Sequence, residues 1–246
     1  MAKPERPLAG STMTEVARRG DQVLREAGPW TATIQRLLAH LRDQGLDWVP
    51  EPQGWTKDGR EALSYLKGKV PTYPLPPWVY SDATLKRAAK WLRRLHDATE
   101  GYDDPDAHWR MASHQPAEVI CHNDFAPYNM VFRDQELVGV IDWDFAAPGP
   151  RLWDLGYLCY RTVPLMRPSN PDAPDLPIDL AARMELALSA YGTDVTVPAL
   201  LAAIVARLDD LAAFTHSHGL ARRNDKLLLD AENYAADAAY LRELLH

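Results

Sequence analysis

The most constraining stretch of this chain lies between Asn129 and Asp142. Two short apolar runs, Met130-Val131-Phe132 and Leu137-Val138-Gly139-Val140-Ile141, are separated by polar Arg133-Asp134-Gln135-Glu136. This pattern predicts a strand, a tight turn and a returning strand. With the turn centred between Gln135 and Glu136, Asn129 and Asp142 oppose each other across the hairpin. Directly opposed residues sit roughly 5 Å apart. An amide oxygen and a carboxylate at that separation suit a small hard cation such as Mg2+, which takes oxygen ligands. The preceding loop, Cys121-His122-Asn123-Asp124-Phe125-Ala126-Pro127-Tyr128, delivers Asp124 beside the same point. There a carboxylate can orient a hydroxyl and accept its proton.

Composition narrows the partners. The chain has 246 residues and a formal charge of −7. That length buries a substantial core as one domain or two lobes, and the acidic balance argues against nucleic acid. It is compatible with a cationic small-molecule partner. Cys121 and Cys159 make neither a metal-ligand spacing nor a disulfide framework. The N-terminal residues lack the apolar stretch of a secretory signal. The longest apolar run, Val197 to Val205, stops at Arg207 and is too short to span a bilayer. No membrane association and a cytoplasmic location are expected.

Residues 1–66 read as a small lobe. Thr14–Arg18 and Gln22–Arg25 flank an Arg19-Gly20-Asp21 turn, and Trp55–Leu66 forms a second hairpin about Asp58-Gly59. Between them, Thr31–Asp43 carries a helical stripe of Ile34, Leu37, Leu38 and Leu41, with Gln35 and His40 in exposed slots. Four prolines mark 67–77 as an irregular linker. Residues 78–246 form a helical lobe. Ser81 caps a helix striped by Leu85, Ala88, Ala89, Leu92 and Leu95, and residues 100–116 are loop. Further helices are expected near Asp154, over Asp179–Tyr191, over Val197–Thr215 (ending at His216-Ser217-His218) and over Asp225–Leu245. Asp209, Asp210, Asp230, Glu232 and Asp237 on these helices read mostly as solvated faces, with ligands for amino groups as the other reading.

The string His122, Asp124, Asn129, Asp142, followed by Arg151-Leu152-Trp153-Asp154-Leu155-Gly156-Tyr157, resembles the catalytic core of the aminoglycoside phosphotransferase and choline kinase family, relatives of the protein kinases. The resemblance implies a two-lobed, protein-kinase-like α+β fold, with a small antiparallel sheet plus one helix and a larger helical lobe. It implies ATP or GTP as phosphoryl donor, Mg2+, and a small-molecule hydroxyl as acceptor. Asp124 and His122 take the catalytic positions, Asn129 and Asp142 the metal positions. His122 also reads as a hydrogen bonder that stabilises the loop. Asp144 is open between a second metal ligand, a supporting acid and a substrate contact. Asp154 is a helix cap that the resemblance turns into a brace for the catalytic loop. Gly10, Ser11 and Thr12 would cover the nucleotide phosphates, and Tyr65 to Val70, Leu66 included, would line a purine pocket.

Arg25 stands where relatives usually carry a lysine paired with an acid on the next helix. That helix has no Glu and no Asp before Asp43. Arginine keeps its charge and grips oxygens through a planar fork, so Arg25 suits a phosphate; a solvent-facing strand residue is the other reading. Two rival functions follow: a nucleotide-binding pseudokinase that kept the fold without turnover, and a two-cation hydrolase built on His122, Asp124, Asp142 and Asp144.

Overall fold

The computed structural model of the protein describes residues 4–8 and 16–245. The chain packs as two compact units: residues 1–72 with 94–150, and residues 73–93 with 151–246.

The first unit is built on an antiparallel sheet. Its strands are β1 (Glu5–Pro7), β2 (Val16–Arg19), β3 (Gln22–Arg25), β4 (Pro52–Trp55) and β5 (Glu61–Ser64), in spatial order β1-β2-β3-β5-β4. Both expected turns form where glycine supplies a left-handed backbone, at Gly20 (φ 67°) and Gly59 (φ 83°). Helix α1 (Thr31–Asp43) lies against β4. Its stripe of Ile34, Leu37, Leu38 and Leu41 is completely buried, each side chain contributing about 1.5–3 kcal/mol of transfer free energy. Gln35 is not in an exposed slot: it is 7% exposed and faces the sheet.

The same unit holds β6 (Val119–Cys121), which pairs with β9 (Ala147–Gly149), and the hairpin of β7 (Met130–Arg133) and β8 (Glu136–Val140). The linker is less irregular than its prolines suggest. Lys69 exchanges both backbone hydrogen bonds with Phe132 at 2.8 Å, adding a one-residue bridge to β7. Gly68 permits this approach, since a Cβ there would lie 2.5 Å from Val131 Cγ1 and 2.6 Å from the Phe132 carbonyl oxygen.

The chain crosses between the units within helix α2 (Asp82–Thr99), after a 3-10 turn at Pro77–Tyr80. The predicted α2 stripe, Leu85 to Leu95, is fully buried. The second unit then adds α3 (Arg151–Thr162), α4 (Leu180–Tyr191), α5 (Val197–Arg222) and α6 (Asp225–Glu243). Asp179, Thr196 and Asn224 cap the last three by accepting from backbone N–H groups. Gly156 brings α3 against Ile204 of α5. Helix α5 runs two turns past the expected stop: His216 and His218 lie inside it, and it ends where Arg223 turns left-handed (φ 51°). Nothing at 216–218 breaks a helix, and the bare Gly219 backbone lets Leu228 of α6 pack directly on it.

Candidate active site

Each half of the site is positioned by a backbone feature of the first unit. The β7–β8 turn centres one residue earlier than expected, on Asp134-Gln135, which both take positive φ (51° and 64°). A bulge between Val131 and Phe132 then shifts the register, so Met130 pairs with Val140 and Ile141 N–H donates to Asn129 O at 2.9 Å. Asn129 therefore faces Ile141, and Asp142 stands one residue beyond, in the left-handed region (φ 63°). The bulge inserts one unpaired residue into the strand, which the sequence pattern does not show.

Asp124 is fixed by its own loop. Tyr128 Oη donates to Asp124 Oδ1 at 2.6 Å, and Asn129 Nδ2 donates to Asp124 Oδ2 at 2.8 Å and to the Asp124 carbonyl at 3.0 Å. With both amide hydrogens so used, Asn129 Oδ1 is turned away and uncommitted among the described residues. His122 is completely buried. Asp124 N–H donates to its Nδ1 at 3.2 Å, which leaves the proton on Nε2, 3.2 Å from the Ile141 carbonyl. Its ring packs on Trp143 (4.6 Å between centroids) and Phe125 (5.5 Å). This placement makes His122 a tie between the 121–128 loop and the hairpin.

Facing these groups is Arg25, at the end of β3 and only 8% exposed. Its Nε donates to Glu61 Oε2, Nη2 lies 2.6 Å from Asp144 Oδ1, and Nη1 lies 3.6 Å from Asp142 Oδ1. The Asp144 approach is an ion contact off the hydrogen-bond direction, as both atoms are otherwise unbonded. Burial works against the charge on Arg25, but Asp144, Glu61 and Asp142 more than offset it and raise its pKa. The alternative of a solvent-facing Arg25 is thereby excluded. Glu61, 1% exposed, sits directly across from Arg25 in the β3–β5 register. Its other oxygen accepts from Gln35 Nε2 at 2.7 Å, and Gln35 Oε1 in turn accepts from Gly54 N–H at 3.0 Å.

A second arginine completes the cluster. Arg110 lies 3.5 Å from Asp144 Oδ2, its guanidinium between the rings of Trp30 (4.4 Å) and Phe145 (4.9 Å). Asp144 is thus a buried acid shared by two arginines. The Asp142 side chain retains 56% exposure, yet it is set deep among surrounding protein. That crowding, with Asp144 and Asp124 near it, pushes its carboxyl up to about 6 against the pull of Arg25 and Arg110. Four carboxylates (Glu61, Asp124, Asp142, Asp144) face two guanidiniums, a formal charge of −2 among the described residues. That deficit and the free Asn129 oxygen fit a hard divalent cation.

The other expected positions are placed as follows. Leu66 packs on Gly139, where a Cβ would lie 2.6 Å from Leu66 Cδ1 and 3.2 Å from the Trp48 carbonyl oxygen. Asp154 is fully buried in the first turn of α3, in the second unit. Gly10, Ser11 and Thr12 lie outside the described residues. Glu61, Gln35, Arg110 and Tyr128 are not among the residues that sequence reasoning assigned to the site. Tyr128 had a signal, being adjacent to Asn129; Arg110, in an irregular loop, had none.

Comparison with known proteins gives the class of the chain, the phosphotransferases of protein-kinase-like fold. The model of the phosphotransferase enzyme family matches residues 7–182, and the chain belongs to that family. It is 30% identical over 244 residues to the trifolitoxin immunity protein of Rhizobium leguminosarum bv. trifolii, covering 94% of this chain and 82% of the relative. Among solved structures, a choline/ethanolamine kinase family protein from Mesorhizobium loti aligns over 99% of this chain and 88% of its own, with TM-score 0.62 and 19% identity. The amicoumacin kinase hAmiN, solved with AMP-PNP, Ca2+ and Ami, aligns over 98% and 87%, with TM-score 0.66 and 14% identity. The α+β, protein-kinase-like fold expected from the sequence is the fold of these neighbours. Among the described residues no helix is long and apolar enough to cross a membrane.

Proposed function

We propose that the protein transfers the terminal phosphoryl group of ATP or GTP to the hydroxyl of a small molecule. The observation that carries this reading is the convergence of Asp124, Asn129 and Asp142 with Arg25, in a cluster that with Glu61, Asp144 and Arg110 has a formal charge of −2 among the described residues. In the reaction the acceptor oxygen bonds to the γ-phosphorus, the bond to the bridging oxygen breaks, and the nucleoside diphosphate leaves with that electron pair. Asp124 accepts the hydroxyl hydrogen bond and, as transfer proceeds, its proton. Both its oxygens already accept one bond, which fixes the carboxylate plane and makes orientation its main service. Little base strength is required in a loose phosphoryl-transfer transition state.

Asn129 Oδ1 and Asp142 would hold Mg2+, which when bound supplies charge neutralisation to the phosphates. Arg25 offers Nη1 and Nη2 to the same phosphates, and Leu66 with the adjoining linker borders the purine. On this reading 1–66 and 78–246 act as nucleotide and acceptor lobes joined by 67–77. The AMP-PNP and Ca2+ of the amicoumacin kinase complex support a nucleotide donor and a divalent cation. The name of the immunity protein relative supports a toxic or antibiotic acceptor over a housekeeping one. The test is calorimetry with Mg·ATP and Mg·GTP beside a phosphorylation screen of hydroxylated amines, sugars and antibiotics. Asp124→Ala is expected to cut turnover by about 10³-fold while nucleotide affinity stays within about threefold. Equal losses of both would contradict the assigned role, and nucleotide binding without turnover on any acceptor would favour the pseudokinase.

A further inference from the structure

The buried acid opposite Arg25 has no part in the reaction just described, and its geometry gives it one. Glu61 belongs to β5, the strand hydrogen-bonded beside β3, and stands in register with Arg25. Its carboxylate is 1% exposed and has two partners: Arg25 Nε on one oxygen and Gln35 Nε2 on the other. Gln35 is itself held by Gly54 N–H and reaches the Ala62 carbonyl at 3.4 Å. The chain of contacts Gly54–Gln35–Glu61–Arg25 therefore ties helix α1 and strands β3, β4 and β5 to one guanidinium.

We propose that Glu61 is the positioning residue that aims Arg25, with Gln35 setting the plane of the Glu61 carboxylate. By occupying Nε, Glu61 leaves Nη1 and Nη2 as the forward edge of the fork, and these are the nitrogens that approach Asp142 and Asp144. A planar fork anchored at Nε has one direction left for its paired donors. Because Arg25 and Glu61 sit on neighbouring strands of one sheet, the aim is set by strand register, and helix α1 contributes only an uncharged amide. The phosphate-binding cation is thus preorganised before nucleotide arrives, and a shift of α1 alone would not release it.

This inference rests on the phosphoryl-transfer reading, and the experiment separates the two. The Arg25 Nε–Hε resonance is followed in nucleotide-free protein, assigned by its loss in Arg25→Lys. Nucleotide KM and kcat are measured in parallel for wild type, Glu61→Gln, Glu61→Asp and Gln35→Leu, with thermal midpoints as the check on folding. In Glu61→Gln the Nε–Hε proton should exchange at least about tenfold faster, and nucleotide KM should rise about tenfold with kcat changed less than about threefold. Gln35→Leu should raise KM about threefold, and Glu61→Asp should recover part of the Glu61→Gln loss. A purely structural Glu61 would lower the thermal midpoint without this split between KM and kcat. An unchanged Nε–Hε signal and an unchanged KM in Glu61→Gln would overturn the proposal. If Glu61→Gln does not fold, Gln35→Leu carries the same readouts, and no change in either would overturn it equally. Wild-type protein that binds no nucleotide, with the Nε–Hε response intact, would remove the phosphoryl-transfer reading and leave the aiming of Arg25 standing.

Discussion

Two buried arginines, one in each compact unit, show how the same side chain is put to opposite uses. Arg161 of α3 is 4% exposed and ringed by Tyr73, Tyr157, Tyr160 and Tyr234, with ring centroids 5.0–5.9 Å from its guanidinium carbon. It donates to Tyr234 Oη at 2.6 Å and pairs with Asp172 at 3.3 Å. Beside it, Asp237 takes Arg167 (2.8 Å), Asn170 (2.6 Å) and Tyr160 Oη (2.7 Å). Among the described residues each acid there has its cation, and the cluster ties α3, α6 and the proline-rich 163–177 segment together. Arg25 is also buried, but its surroundings hold more acids than cations. Among the described residues the tyrosine-ringed arginine stands where acids and cations balance, while the acid-ringed one stands where acids outnumber cations.

The comparison can be broken by substitution, and the largest effect falls on the acid-ringed side. Arg25→Met should lower kcat/KM for nucleotide by about 10²–10³-fold, the scale of a lost oriented cation at a developing charge. It also leaves Glu61 buried without its cation, so the folded state should lose roughly 3–5 kcal/mol in denaturant titration. Arg161→Met should match that stability loss within about 2 kcal/mol yet leave kcat/KM per folded molecule within about twofold. Activity falling equally in both would erase the distinction. Asp142→Asn sharpens it at the metal: Mg2+-dependent nucleotide affinity should drop about 10-fold to 100-fold, the range for a weakened metal site, with Mg2+-independent binding unaffected in calorimetry. The smallest expected change is Tyr128→Phe. Losing one hydrogen bond to Asp124, worth about 1 kcal/mol, should reduce kcat about fivefold at unchanged nucleotide KM, measured at saturating acceptor.

Much of the candidate site's loop and hairpin is legible in residue order. His122, Asp124, Asn129 and Asp142 lie within one loop and one hairpin, so short-range spacing brings them together whatever the rest of the chain does. The helix stripes were legible for the same reason, because side chains three and four residues apart share a face. Local rules give way where a neighbour intervenes. The stripe alone leaves Gln35 in solvent, whereas Glu61 draws it to the sheet. Helix α5 continues through 216–218 because histidine and serine do not end a helix that α6 continues to cover.

The sequence by itself determined the family, the 121–128 loop and the hairpin that follows it, since these are contiguous and are carried by residue type and spacing. Only the tertiary structure decided which acid faces Arg25, where Arg110 stands and that Asn129 pairs with Ile141. Arg25 and Glu61 are 36 residues apart and meet through the pairing of strands that are not consecutive in the chain. Local pattern cannot specify such a pairing, because it is fixed when the sheet closes and buries one face as a whole.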